Sequence, residues 1–143
     1  MGFVKDLEFG KKWEDYIIQH LLPEDEVFVE KAPNKAFKDW DFKTNVHAYE
    51  VKSDRLAHKY KYGSMFIEFE CGGKPSGIMA TKADYIFYCM ISPEESLHCC
   101  YEIPLAKIME AIPNATRTVK GGDGWRSKGY IMDSKLFEPY RIV

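Results

Sequence analysis

The clearest pattern of hydrophobic and polar positions lies in the first 23 residues. Apolar side chains recur there at spacings of about three and four, which predicts an amphipathic helix that turns one face to a core. Pro23 ends the pattern and closes the predicted helix. The positions that form the stripe are Phe3, Leu7, Phe9, Trp13, Tyr16, Ile17, His20 and Leu21.

Short apolar runs after this helix predict strands joined by turns. Residues 26–30 indicate a first strand, and residues 33–35 indicate the turn after it. Residues 40–44 and 48–53 then predict a hairpin about a turn at residues 45–47. We therefore expect an antiparallel meander to follow the first helix.

The middle of the chain predicts a strand, a glycine-rich loop and a short helix. Residues 66–70 alternate apolar and acidic positions, so we expect a strand with Glu68 and Glu70 on one face. The segment 71–77 holds three glycines, which permit a close approach of the backbone to a ligand. Ser76 is placed to cap a short helix over residues 78–82.

The last third of the chain predicts a strand pair, a helix and a basic loop. The apolar run 85–90 is typical of a central strand, and residues 97–103 are its expected neighbour. Pro104 is expected to open a helix that reaches residue 112. Residues 117–128 predict a flexible basic loop, and strand-like order resumes at residues 129–133.

Composition favours one α+β domain over residues 1–143. The hydrophobic fraction of 45% and the charged fraction of 29% are typical of a globular domain, and no internal repeat is present. The net charge of −2 provides no global basic field, so affinity for nucleic acid requires a local basic cluster or metal ions. No apolar stretch reaches membrane-spanning length and the start lacks the pattern of a secretion signal, so we expect a cytoplasmic protein without a membrane partner.

The run from Asp41 to Lys52 carries the candidate chemistry. Glu50 and Lys52 share one face of the predicted strand, and Asp41 lies on the neighbouring strand of the hairpin. Two close carboxylates favour a cation between them, and such hard oxygen ligands suit Mg²⁺ or Mn²⁺. The carbonyl of Val51 is a further candidate ligand. Lys52 is placed to orient or deprotonate an attacking water, or to stabilise the charge on phosphorus.

These residues resemble the PD-(D/E)xK nuclease superfamily, which includes restriction enzymes, Holliday-junction resolvases and small phage or repair nucleases. The resemblance rests on the motif and on the order of elements over roughly residues 3–103, and small phage-type members are the most similar. It implies a restriction-endonuclease-like core: a helix, an antiparallel meander, a helix and a further strand, with a mixed β-sheet flanked by helices. Trp40 stands where the family name has a proline, a residue that members often lack.

The resemblance assigns roles residue by residue. Asp41 and Glu50 correspond to the metal-binding acids, Lys52 to the catalytic lysine, and Glu14 to an additional acid on the first helix. Lys82 matches a position that often contributes to phosphate binding. The implied activity is Mg²⁺-dependent endonucleolytic cleavage of DNA to 5′-phosphate and 3′-hydroxyl ends. The host cell cytoplasm is the implied location if a phage encodes the protein, and a homodimer is one alternative for its assembly.

Two loops carry further candidates for contact with nucleic acid. Ser76 in the glycine-rich loop and Lys120, Arg126 and Lys128 in the basic loop are candidates for contact with nucleic acid, with Trp125 stacking on a base. The alternatives left open are a non-catalytic nucleic-acid-binding domain on a nuclease scaffold and a zinc-binding regulator. The zinc alternative would use His98 with Cys99 or Cys100.

Overall fold

A computed structural model describes residues 2–55, 63–121 and 126–143, with only the backbone for residues 2–6. The protein has an α+β fold, as predicted. Its helices are α1 (Gly2–His20) and α2 (Leu105–Ala111), with 3₁₀ segments at Gly77–Met79, Ile112–Asn114 and Ser134–Tyr140. Its strands are β1 (Phe28–Lys31), β2 (Phe42–Thr44), β3 (Ala48–Arg55), β4 (Ser64–Cys71), β5 (Lys74–Pro75), β6 (Tyr85–Ile91), β7 (Leu97–Pro104), β8 (Arg117–Gly121) and β9 (Ser127–Asp133).

The strands form two sheets. A five-stranded sheet has the order β1-β2-β3-β6-β7, in which β3 and β6 run parallel and the other neighbours run antiparallel. A four-stranded antiparallel sheet has the order β5-β4-β9-β8. The predicted hairpin about residues 45–47 and the predicted pairing of the central strand with its neighbour are therefore confirmed.

Strand β6 lies at the centre of the molecule because both of its faces are apolar. Phe87, Cys89 and Ile91 pack on one face with α1, where Trp13 and Ile17 are buried. The alternate side chains of β6 pack on the opposite face against the four-stranded sheet and α2. The five-stranded sheet is thus covered by α1 on one side and mainly by a second sheet on the other.

The element predicted over residues 78–82 is not an α-helix, and that prediction was wrong. A 3₁₀ turn spans only Gly77–Met79. Ser76 does not cap it, because its hydroxyl instead donates a hydrogen bond to Glu68 Oε2 at 2.7 Å. The connection between parallel strands β3 and β6 therefore runs through β4 and β5, where the family pattern has a helix.

The basic loop predicted over residues 117–128 was also wrong in its extent. Residues 117–121 form β8, and β9 begins at Ser127, so the two pair as an antiparallel ribbon. Cross-strand pairing gives these polar residues regular structure that their own sequence pattern does not indicate. Trp125 lies outside the described residues.

Candidate active site

The candidate site lies where strands β2 and β3 separate. Their pairing ends with Phe42 opposite Tyr49, so β3 continues past β2 with an open edge. Asp41 immediately precedes β2 and fills this edge. Its N–H donates to the Tyr49 carbonyl at 2.8 Å, and its Oδ2 accepts a hydrogen bond from the Val51 N–H at 2.7 Å. The Asp41 carboxylate is thereby fixed beside β3.

The same geometry places the Val51 carbonyl on the open edge. The N–H and C=O of one strand residue point to the same side of the strand. Since the Val51 N–H points to Asp41, the Val51 carbonyl points to that side as well. Val51 can therefore offer a neutral oxygen next to the Asp41 carboxylate, and its role as a metal ligand stays a prediction.

The side chains of Glu50 and Lys52 project from the face of β3 opposite to that of the Val51 side chain, toward the second sheet. Glu50 Oε1 lies 3.0 Å from Thr81 Oγ1, which can donate a hydrogen bond to it. The Lys52 side chain is exposed, and its Nζ lies 5.9 Å from the centre of the Phe66 ring. The alternation along β3 that was expected for these two residues is present.

Glu14 lies on α1 and belongs to the same electrostatic cluster. Its side chain is 20% exposed, and its Oε1 lies 3.8 Å from Lys31 Nζ. The Lys31 ammonium also contacts Asp15. The negative charge of Asp41 acts on Glu14, and both of these acids act on Glu50. Glu14 is therefore near the predicted acids but has a cationic partner of its own.

Burial raises the pKa values of all three acids, and repulsion by Asp41 adds to the rise for Glu50 and Glu14. Burial, followed by the charge of Asp41, raises the pKa of Glu50 to about 8. Burial, again followed by Asp41, raises the pKa of Glu14 to about 7. Burial also raises the pKa of Asp41, although the hydrogen bond from Val51 opposes this. The charged forms of these acids are therefore disfavoured in the metal-free protein, and a bound cation would stabilise them.

The donor set suits Mg²⁺ in part. Across residues 2–55, 63–121 and 126–143, no three His, Cys, Asp or Glu side chains form a group that could hold a metal ion alone. Mg²⁺ usually keeps several waters, however, and binds through one or two carboxylates together with substrate phosphates. Asp41, Glu50 and the Val51 carbonyl match that requirement, and Glu14 is not needed as a direct ligand.

Two clefts meet at these residues. The larger has a volume of about 960 Å³ and the smaller about 280 Å³. Asp41, Val51 and Lys52 line both clefts, whereas Glu14 lines the larger one and Glu50 the smaller one. A ligand that extends through both clefts would therefore cross the Asp41 carboxylate and the Lys52 ammonium. The basic side chains that line the larger cleft are Lys11, Lys31, Lys35, Lys52 and Arg55.

The structure separates most of the predicted nucleic-acid contacts from this site. Ser76 lines the smaller cleft, but Lys82, Lys120, Arg126 and Lys128 are absent from the walls of both clefts as the described residues define them. Lys120 lies opposite Lys128 on the β8–β9 ribbon, and Lys128 pairs with Glu70 at 3.2 Å. Lys82 is exposed, and its backbone N–H donates to the Asp39 carbonyl.

Sequence reasoning missed three polar residues at the site: Lys35, Lys38 and Thr81. Lys35 lines both clefts and Lys38 lines the smaller one. Thr81 contacts Glu50 across a separation of 31 residues. The cluster of lysines after Pro33 was a signal for the first two, but the local pattern indicated only a turn. No local signal pointed to Thr81.

The zinc alternative finds no support in the placement of the cysteines. Cys99 packs in the core beneath the second sheet, whereas Cys100 packs in the core beneath α1. Both thiols are thus buried in apolar surroundings, and among the residues that the structure describes neither belongs to a group of three His, Cys, Asp or Glu side chains that could hold a metal ion. Cys100 Sγ instead lies 3.1 Å from Cys89 Sγ, within the buried core.

The raised pKa of Glu50 predicts a pH-dependent gain in stability for Glu50→Gln in metal-free buffer. Between the ordinary carboxyl pKa of 4.5 and about 8, the folded protein holds a proton that the unfolded chain releases. Proton binding by Glu50 therefore contributes to the free energy of unfolding of the wild type at low pH. This contribution is lost as pH rises through the window.

Thermal unfolding at pH values from 5 to about 9 measures this effect, and the stability of Glu50→Gln relative to wild type should increase as pH rises. A difference between the two proteins that stays constant over the range would contradict the burial and repulsion described for this cluster. Added Mg²⁺ should reduce the pH dependence of the wild type, because a cation compensates the same repulsion.

Within the described part of the chain, no helix is both long and apolar enough to span a membrane.

Comparison of the sequence with known protein families finds no family that matches, and no curated protein matches it either. The interpretation of the site therefore rests on its residues and their geometry.

Proposed function

We propose that the protein is a Mg²⁺-dependent DNA endonuclease of the PD-(D/E)xK type. The observation that carries the proposal is the meeting of Asp41, the Val51 carbonyl and Lys52 at the point where β2 and β3 separate, with Glu50 on the same segment of β3. Carboxylates that could hold a metal ion beside a cationic side chain support metal-assisted hydrolysis of a phosphodiester.

Each of the two acids has a hydrogen-bond donor beside it. The Val51 N–H holds the carboxylate of Asp41, and the Thr81 hydroxyl lies within hydrogen-bond distance of Glu50. Asp41, Glu50 and the Val51 carbonyl would bind Mg²⁺. When bound, Mg²⁺ supplies neutralisation of the phosphate oxygens and a more acidic water.

Besides the bound Mg²⁺, the side chain of Lys52 would supply a positive charge at the site. Its exposed ammonium borders both clefts, so it can contact a phosphate that lies across Asp41. From there the ammonium can orient the attacking water or donate hydrogen bonds to the phosphate oxygens as charge develops, whereas the neutral amine would be the form that deprotonates the water. Attack by water on phosphorus in line with the 3′ oxygen breaks the bond between phosphorus and that oxygen, which leaves as the 3′-hydroxyl while the phosphate stays on the 5′ end, as is usual in the family.

A second candidate function is nucleic-acid binding without cleavage. It is favoured by the lack, within the described residues, of three acidic, His or Cys side chains grouped around one metal position. A scaffold does not guarantee its usual chemistry. Both candidates require nucleic acid to bind, and only the first requires DNA to be cut.

Purified protein incubated with supercoiled, branched and single-stranded DNA tests the proposal. We expect nicks or breaks in at least one substrate with Mg²⁺ or Mn²⁺, and none after addition of EDTA. DNA that is bound but left intact with either metal would favour the second candidate. Absence of both binding and cleavage would overturn both.

A further inference from the structure

We infer that the loop of residues 32–40, between β1 and β2, binds the phosphodiester backbone of the nucleic acid through Lys35 and Lys38. This deepens the proposed function and rests on it, because it names the element that would hold the substrate beside Asp41 and Glu50. The sequence pattern indicated no more than a turn in this segment.

The loop is joined to the candidate site at both of its ends. At its start, the Ala32 N–H donates to the Asp41 carbonyl at 2.8 Å. At its other end, the Asp39 carbonyl accepts a hydrogen bond from the Lys82 N–H at 2.7 Å. Thr81 Oγ1 lies 2.9 Å from the same carbonyl and 3.0 Å from Glu50 Oε1. The position of the loop is therefore set by the residues that position the acids.

The interior of the loop is also built by specific contacts. Asn34 Oδ1 accepts hydrogen bonds from the N–H groups of Ala36 and Phe37 at 3.0 and 3.1 Å. Such an Asx turn fixes the backbone around Lys35. The rings of Phe37 and Trp40 meet edge to face with their centres 4.7 Å apart. The two lysines thus extend from a folded segment, which lowers the entropy cost of holding a ligand.

The two lysines flank the acid cluster. Lys35 lines both clefts, and Lys38 lines the smaller one. The charge of Lys38 acts on Glu50 and tends to lower its pKa, which places this ammonium in the electrostatic field of the site. With Lys52 they form a basic rim around Asp41 and Glu50. A rim of cations around a partly buried acid cluster is complementary to a polyanion that approaches with a divalent cation.

Lysine side chains of this kind recognise phosphate by charge and do not read bases. Removal of such a phosphate contact weakens binding to all sequences about equally. Each contact contributes about one unit to the slope of log affinity against log salt concentration. The inference therefore predicts an effect on affinity and on its salt dependence, and no change in sequence preference.

The experiment compares the wild type with Lys35→Ala/Lys38→Ala and with the control Lys74→Ala/Lys107→Ala, which removes the same charge. Lys74 on β5 and Lys107 on α2 are exposed and are not among the residues that line the two clefts. Affinity for labelled duplex and single-stranded oligonucleotides is measured with Ca²⁺ in place of Mg²⁺ at several salt concentrations. Thermal unfolding of each variant verifies that it is folded.

We expect Lys35→Ala/Lys38→Ala to bind at least about tenfold more weakly and to lose about two units of salt dependence, whereas the control binds like the wild type. Lys35→Arg/Lys38→Arg should retain binding because it keeps both charges. If the alanine variant binds with unchanged affinity and salt dependence, the inference is wrong while the proposed function stands. If the wild type neither binds nor cuts any DNA, the proposed function fails and the inference fails with it.

Discussion

Substitution Lys52→Ala is expected to lower the rate of DNA cleavage by about 100-fold or more, which is the typical contribution of a positioned acid, base or charge-stabilising group. The Lys52 side chain is exposed, and its Nζ lies 5.9 Å from the centre of the Phe66 ring. Its removal should therefore leave the fold intact. Cleavage rates with Mg²⁺ and thermal unfolding of the same preparation measure the two effects.

Lys43→Ala is the matched control for this variant. Lys43 lies on the neighbouring strand β2, and its Nζ is 5.2 Å from the centre of the Trp40 ring, a contact similar to that of Lys52. It is not among the residues that line the two clefts. We expect Lys43→Ala to cut DNA at nearly the rate of the wild type. Equal loss in both variants would mean that general charge, and not the position of Lys52, determines the rate.

Asp41→Asn is expected to abolish metal-dependent cleavage and, at the same time, to stabilise the metal-free protein. The asparagine can still accept the hydrogen bond from the Val51 N–H, but it removes a negative charge that raises the pKa values of Glu14 and Glu50. Relief of this repulsion should raise the unfolding midpoint by about 2–4 °C, which corresponds to about 1 kcal/mol in a chain of this size.

Mg²⁺ should stabilise the wild type much more than Asp41→Asn. It should raise the unfolding midpoint of the wild type, because a ligand that binds the folded state stabilises it. The midpoint of Asp41→Asn should barely respond. Asp84→Asn is the control, since Asp84 Oδ2 also accepts a backbone hydrogen bond, from Ala48 at 2.8 Å, but is exposed. Stabilisation of Asp41→Asn by Mg²⁺ to the same extent as the wild type would contradict the assignment of Asp41 as a metal ligand.

The hairpin that carries the site could be predicted because its determinants are local. Alternation along residues 48–53 assigns Glu50 and Lys52 to one face, and the turn at residues 45–47 places Asp41 next to β3. Each of these features depends on neighbours within about a dozen positions. The hydrogen bond from Val51 to Asp41 then completes an arrangement that the sequence already indicated.

Features that depend on distant pairing could not be predicted in this way. The residues after β3 build a second sheet because β4 pairs with β9, a partner some 60 residues away. Local propensity at residues 78–82 favoured a helix, but Gly77 has a φ of +52°, and a Cβ there would lie 2.1 Å from the Glu68 carbonyl oxygen. This close contact between segments fixes a turn that only glycine can occupy.

The basic residues illustrate the same limit. Lysines and an arginine around a glycine-rich segment suggested a flexible phosphate-binding loop, yet Lys120 and Lys128 lie on a paired ribbon away from the acids. Lys35 and Lys38 carry less local signal, but backbone hydrogen bonds to Asp41 and Asp39 bring their loop to the site. Which charged segment faces a site is decided by tertiary contacts, and local composition does not report these contacts.

The decisive measurement is the initial rate at which purified protein produces 5′-phosphate ends from DNA with Mg²⁺. Measured side by side for the wild type and Lys52→Ala, this rate shows whether the protein is a Mg²⁺-dependent endonuclease that uses Lys52. We expect the wild type to produce these ends only with Mg²⁺, and we expect the rate of the variant to be lower by about 100-fold or more. Equal rates for the two proteins, or no cleavage by the wild type with any DNA structure, would contradict it.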